Sequence, residues 1–358
     1  MKKMKFLSVL ILCVVLAVIV TSCSDDSKDS ENKVYTFTYA HPFPPGDSPH
    51  HLAGLLLEEF LGKASDGRIK VEIYPSGQLG NDASTFPQLE AGTLSATQVA
   101  TRNFIGFYPE FQVLEIPYLF SDVNAQSFLE SPFVNYVDTK VNDKLPNVRV
   151  TGLSFNGFRQ WMMSEPVTEY EDLKGLRIRT IPSPLHEKFY TDLGLNPVSV
   201  PWNDVYTALS TGVISGLDQP FTDIMSNNFF DFTKHVYMDD NIFHSVTWLL
   251  SDTWYQQLPE DLQEVVLEGM ERAATLFTLE YFNNEAEYAR MFEEKGGTII
   301  RVKDKDLDLR DQKAEDMYIW FFETYGDAAE EIWTEVQNSI EWADDYESEK
   351  TSDWLYDF

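Results

Sequence analysis

Cysteine is almost missing from this chain. Of 358 residues only Cys13 and Cys23 carry a thiol, and both stand near the N-terminus. The body is therefore expected to hold no disulfide and to do no thiol chemistry. Basic residues are scarce too: 27 Lys and Arg face 58 Asp and Glu, a formal net charge of −31. Such a balance argues against nucleic acid or anionic membrane surfaces as partners and favours solubility. The familiar catalytic signatures are missing as well, with no H-E-x-x-H, no G-x-S-x-G and no phosphate-cradling glycine loop. His50 and His51 are adjacent, point in different directions on a helix and make a poor metal pair. No metal and no cofactor is expected. Outside one polar stretch near the start there is no low-complexity segment, and no internal repeat.

Long apolar runs are limited to one. Phe6–Val20 follows Lys2, Lys3 and Lys5 and ends in Val20-Thr21-Ser22-Cys23. It is short for a membrane-spanning helix, and its flanks are those of a secretory leader, so residues 1–22 read as a signal peptide. Val-Thr-Ser-Cys resembles a bacterial lipobox, which makes Cys23 the lipidated first residue and residues 23–33 a polar tether. An uncleaved N-terminal anchor is the alternative. Either way the body lies outside the cytoplasm, touching the membrane only through its anchor.

What is present is enough for two domains: 358 residues, 43% of them apolar. The organising stretch runs from Asp172 to Asp223. Leu176–Ile181 reads as a strand, and Ser183–Leu193 as a helix closed by Gly194. Val198–Val200 is a second strand stopped by Pro201. Asn203 is expected to cap the next helix, which Gly212 ends, and Val213–Gly216 leads into Asp218-Gln219-Pro220. Alternation of this kind builds a parallel sheet, whose ligands sit at the carboxyl ends of its strands. Upstream, Val34–Ala40, Ile69–Tyr74, Leu94–Ala100 and Val148–Phe155 read as strands, with helices from Ser48-Pro49 and near Ser84–Ala91. Ser245–Leu250 is a returning strand and Pro259–Lys295 a long helix; the remainder reads as helical and acidic.

These segments also carry a resemblance. GLRIR, then LG-x-x-PV-x-VPW-x-x-VYTAL, then TGV-x-x-G-x-x-QP are similar to the extracytoplasmic receptors of tripartite (TRAP-type, DctP-like) transporters. YPSGQLG at 74–80, IPYLF at 116–120 and Gly157-Phe158-Arg159 leading to Asp172-Leu173-Lys174-Gly175 extend the likeness over nearly all of the chain after residue 33. It implies an α/β, two-lobed periplasmic-binding-protein-like fold, with hinge strands and a long helix bridging both lobes. The division expected is lobe I from 34–156 plus 245–284, lobe II from 157–244 plus 285–345, and an acidic tail at 346–358. Several crossings between lobes make a hinge that closes around a ligand.

Arg179 is the first candidate for chemistry. An arginine on a strand is costly unless paired or offered to a ligand, and its planar fork matches a carboxylate with two parallel hydrogen bonds. An internal salt bridge is the competing reading; the resemblance favours a carboxylate clamp. Arg177 reads as its solvent-facing neighbour. By the same resemblance Arg159, after Gly157, is a second substrate-contacting arginine. Gln219 ends a strand where its carboxamide can donate and accept; family members often carry Asn there, so the longer side chain leaves the substrate class open. The resemblance also implies that Trp202 lies against a ligand, although packing in the core competes, and its flat ring favours a cyclic or polyhydroxy acid. Arg102, Asn81 and Asp82 match ligand-facing loops of the first domain. His41 reads as a solvated loop histidine.

The expected function is therefore a receptor and not an enzyme, one that binds a small organic acid and hands it to TRAP membrane permease subunits, working as a monomer. Two other classes stay open. One is a lipid-anchored hydrolase acting on sugars, which would need two flanking acids that no motif selects. The other is a receptor feeding a sensor, or a surface adhesin.

Overall fold

Residues 33–120, 122–346, 350 and 352–358 are described by the computed structural model of the chain. The leader, Cys23 and most of the tether lie outside the described residues. Among those described, no helix is long and apolar enough to cross a membrane.

Among the described residues, nine strands form one continuous sheet. They are β1 (Tyr35–Ala40), β2 (Ile69–Tyr74), β3 (Ala96–Ala100), β4 (Val148–Met163), β5 (Arg177–Thr180), β6 (Asn196–Ser199), β7 (Gly216–Gln219), β8 (His235–Ser251) and β9 (Thr298–Arg301). Their order is β2-β1-β3-β8-β4-β7-β5-β6, with β9 pairing on β8. β1 runs parallel to both β2 and β3, and β5 runs parallel to both β6 and β7. Each lobe thus repeats one local pattern, the first strand of a trio lying between the other two. In such a pattern the connections from the first and third strands run in opposite directions and open a crevice between their carboxyl ends.

The lobes are joined by β4 and β8, antiparallel to each other and 16 and 17 residues long. Val148–Phe155 pairs with Ser245–Ser251 in the first lobe, and Phe158–Met163 with His235–Phe243 in the second. The register shifts between Phe155 and Phe158. Gly157 sits there with φ +108°, and a Cβ on it would come within 2.3 Å of the Tyr281 ring. Only glycine fits that crossing. The strand read at Val148–Phe155 therefore continues past the domain change, as does the one read at Ser245–Leu250. β9 falls in a segment expected to be helical.

Alternation along the strands builds a core on each face of the first lobe. Val246, Trp248 and Leu250 pack with Phe37, Leu57 and Phe277, while Phe243 and Leu249 face Phe111, Phe128 and Phe155 on the other side. In the second lobe Leu217, Phe221, Val236 and Phe292 form one cluster, and Trp161, Ile178, Phe189 and Tyr237 another. Each such side chain, fully buried, contributes about 1.5–3 kcal/mol. The helix Glu260–Glu294 spans both lobes, with Phe277 in a first-lobe core and Phe292 in a second-lobe core.

Two parts of the expected division are corrected. The helix Asp327–Asp344 was expected in lobe II, yet its apolar face of Ala329, Ile332, Val336 and Ala343 joins the first-lobe core. The acidic tail was assigned to neither lobe, yet its end docks on the first. Leu355 is buried against the first lobe, and Arg272 pairs with Asp357 at 2.9 Å.

Candidate functional site

A cavity of about 500 Å³ opens where the carboxyl ends of the strands meet. Pro42 and Phe43 follow β1, Arg102 and Asn103 follow β3, Ile181 and Pro182 follow β5, Val200 to Asn203 follow β6, and Gln219 ends β7. The crevice predicted from alternating strands and helices is therefore built by both lobes. A cavity of this size suits a small metabolite.

Arg179 lies on β5 and faces this space, only 3% exposed to solvent outside. Its Nε donates to the Val200 carbonyl at 2.9 Å. Its two terminal nitrogens have no hydrogen-bond or ion-pair partner among the described residues. Burial, and then the charge of Arg102, lower its pKa to about 10. It remains a cation at neutral pH. Asp218 and Asp82 act on it only from a distance, so the competing reading of an internal salt bridge does not hold. The side chain of Trp202 flanks the guanidinium, whose Cζ lies 5.5 Å from the ring centroid, an arrangement that holds a cation without neutralising it. Trp202 also meets Phe43 of the first lobe at 5.2 Å between centroids. Arg177, by contrast, is exposed.

Arg102 is buried and shares its charge: Nη1 lies 3.5 Å from Glu115 Oε1, and Glu115 Oε2 lies 2.9 Å from His186 Nε2. Burial alone would raise the Glu115 carboxyl, but His186 and Arg102 together hold it below the usual carboxylate range. Asp82 opens the helix Asp82–Glu90 and accepts a bond from Asn103, and burial pushes its carboxyl up to about 6 against the pull of Arg102. Asn81 lines the cavity while its side chain caps that same helix, accepting from the Ser84 amide at 3.2 Å. The cap expected at Asn203 is absent. Trp202–Asp204 form a short 3₁₀ turn, and Asn203 faces the cavity instead.

Arg159 is the exception among the predicted site residues. It does not line the cavity. Its Nη1 is held by Asp218, at 2.9 Å from the backbone oxygen and 3.2 Å from the carboxylate. The cause lies in the sheet: β4 pairs antiparallel with β7 so that Trp161 is opposite Asp218, and Arg159 two residues away reaches it diagonally.

Several residues in the site had not been expected there, His50 having been weighed only as a metal ligand. His50, Gln98, Asp223 and His244 all line the cavity and are all buried. Asp223 lies in the first turn of the short helix Phe221–Ser226 that follows Gln219 and Pro220 directly, and that closeness in sequence could have found it. His244 lies mid-strand among apolar neighbours and gives no such signal. His41 is also buried, its ring 3.3 Å from that of His51, so it is not a solvated loop residue.

Comparison with known proteins settles the class. The family described as DctP, bacterial extracellular solute-binding protein, family 7, matches residues 39–324. The chain belongs to this family. Among relatives, the sialic acid-binding periplasmic protein SiaP of Vibrio cholerae is 26% identical over 273 residues, covering 76% of this chain and 84% of the relative. The C4-dicarboxylate-binding periplasmic protein DctP of Rhodobacter capsulatus is 27% identical over 289 residues, covering 79% and 82%. Among solved structures, the sugar acid binding protein DctPAm of Advenella mimigardefordensis in complex with galactonate superposes with a TM-score of 0.80 at 21% identity, covering 86% of this chain and 99% of that one. The two-lobed fold of this family 7 receptor is thus the one that the resemblance implied, and its cavity lies between the lobes.

Proposed function

We propose that this chain is the extracytoplasmic receptor of a TRAP-type secondary transporter, which closes its two lobes over a small organic acid and delivers it to a membrane permease. One observation carries the reading: the terminal nitrogens of Arg179 face the cavity with no acidic partner among the described residues. A charge-assisted hydrogen bond contributes about 1.5–3 kcal/mol. Two of them would supply a large part of the roughly 8 kcal/mol that micromolar affinity requires. Trp202 holds the guanidinium in place, and Asp82, Asn81, Arg102 and Gln219 complete the polar lining. The relatives named above point the same way, since sialic acid, C4-dicarboxylates and galactonate are all organic acids.

The test is a calorimetric and thermal-shift screen of organic acids against the mature chain. A ligand held by the folded form raises the melting temperature. Arg179→Ala and Arg179→Lys should each weaken binding by about tenfold or more, because lysine cannot reproduce the two parallel bonds. Unchanged affinity in either variant would reject the clamp. The ligand should also be recovered intact after incubation; a product would favour the hydrolase reading.

The receptor is further proposed to act as a monomer tethered by lipid at Cys23. Expressed in a bacterial host with its own leader, the chain should sediment with membranes. Cys23→Ser should move it to the soluble fraction, and a variant that still sediments would argue for an uncleaved anchor.

A further inference from the structure

The cavity has a second polar wall that the carboxylate clamp does not use. Four buried atoms on its lining side chains have no hydrogen-bond partner among the described residues: His50 Nε2, His244 Nε2, Asp223 Oδ2 and Gln219 Oε1. Buried polar atoms left without partners are rare and ask for an explanation.

Their donor and acceptor roles follow from the network behind them. Asn156 accepts from the Thr222 hydroxyl at 3.4 Å through its oxygen, so its nitrogen is the atom that donates to Asp223 Oδ1 at 3.0 Å. The same nitrogen lies 3.4 Å from His244 Nδ1, which must therefore accept, and the proton of that ring sits on Nε2. His50 follows the same logic. The Gln98 amide nitrogen donates to its Nδ1, placing the proton on Nε2, which lies 3.8 Å from Asp223 Oδ1. The opposite tautomer would set a lone pair against a carboxylate. Burial lowers the pKa of both rings, consistent with neutral imidazoles. The wall thus offers two N–H donors, from His50 and His244, and two acceptors, from Asp223 and Gln219.

From this set we infer that His50, His244, Asp223 and Gln219 form a hydroxyl-reading subsite, which selects a polyhydroxy monocarboxylic acid over a dicarboxylic acid or an amino acid. The inference rests on the reading of Arg179 as the clamp for one carboxylate. A hydroxyl both donates and accepts, so a run of hydroxyls satisfies both kinds of atom at once. A second carboxylate only accepts: it would leave Gln219 Oε1 unpaired and meet Asp223 charge to charge. An ammonium only donates and would leave both imidazole N–H groups without partners. A site that hydrogen-bonds hydroxyl groups rejects analogues lacking them far more strongly than an apolar pocket rejects a missing methylene.

Six ligands of matched length, in four classes, separate these cases on the mature chain by calorimetry. They are six-carbon aldonates (gluconate, galactonate and gulonate), hexanoate, adipate and 6-aminohexanoate. At least one aldonate is expected to bind roughly tenfold or more tightly than each of the other three. Asp223→Asn and His244→Phe should lower aldonate affinity while leaving weak hexanoate binding in place, which shows that the variants still fold. Adipate or 6-aminohexanoate binding as well as every aldonate would overturn the inference, and so would variants with unchanged preference. Acids that bind in an Arg179-dependent way without regard to hydroxyls would sink this subsite alone. Failure of every acid to bind would sink the clamp as well.

Discussion

Glu115 shows how one residue sets the charge of the site. It is fully buried and lies between Arg102 and His186, so the cation nearest to Arg179 already has an anion of its own. That leaves Arg179 as the guanidinium facing the cavity without a carboxylate. Removing one partner of a buried pair strands the other, so Glu115→Gln should lower stability by about 3 kcal/mol, read as a lower midpoint in urea unfolding. A midpoint equal to that of the unmodified chain would mean that the contact is incidental. At this scale the sequence was legible wherever a loop motif ends a strand: Arg179, Gln219, Trp202, Arg102, Asn81 and Asp82 all reach the cavity. It was not legible for Arg159, because its nearest acid, Asp218, is a neighbour only through strand pairing. Nor was it for His244, whose role depends on Asn156, 88 positions away in the chain.

The two long strands are the elements that convert local pattern into a bilobed molecule. Their existence was readable, but their length was not. β4 and β8 are covered on both faces, so they lose the alternation that marks a half-exposed strand, and Gly157 looks like a boundary when it is a crossing. Between them lies a buried carboxyl, Asp239 on β8. It accepts from Trp161 of β4 at 2.8 Å, from Tyr170 at 2.8 Å and from Tyr118 at 2.9 Å, and its other oxygen from Asn241 at 3.0 Å. Tyr118 belongs to the IPYLF segment, which this contact ties across to the second lobe, together with the Tyr118 amide bonded to the Asn241 carbonyl at 2.9 Å. Burial pushes the Asp239 carboxyl up to about 7 in spite of these donors. The neutral acid can be accommodated, since Asn241 Oδ1 has no partner and could accept its proton if the amide turned over. The folded state then holds a proton that the unfolded chain, with an ordinary aspartate near 3.9, gives up. Stability contributed by that proton is present below about pH 4 and declines as pH rises to about 7. Melting temperature should therefore be higher at pH 5 than at pH 7.5, and Asp239→Asn should narrow the difference. An Asn variant with an undiminished slope would place the effect elsewhere, in Asp82 or Asp218, whose carboxyls burial also pushes up to about 6.

On the scale of the whole molecule, an anion must approach a receptor of net charge −31. Inside the cavity the account is close to neutral, since Arg179 and Arg102 are set against Asp82, Asp223 and the adjoining Glu115. Nothing in the site therefore projects a positive field far enough to overcome the surrounding acid. Long-range repulsion should slow the encounter, while Arg179, buried and bounded by Trp202, is felt only close to the cavity. Salt separates the two effects, because added ions shorten the Debye length from about 30 Å at 0.01 M to about 3 Å at 1 M and screen buried pairs much less. The association rate should rise with salt and the dissociation rate should change little. Trp202 at the cavity makes intrinsic fluorescence in stopped flow a suitable readout. An association rate that falls as salt is added would show that the local field of the two arginines, and not the charge of the whole, governs the approach. The acidity of the chain would then have no bearing on capture of the ligand.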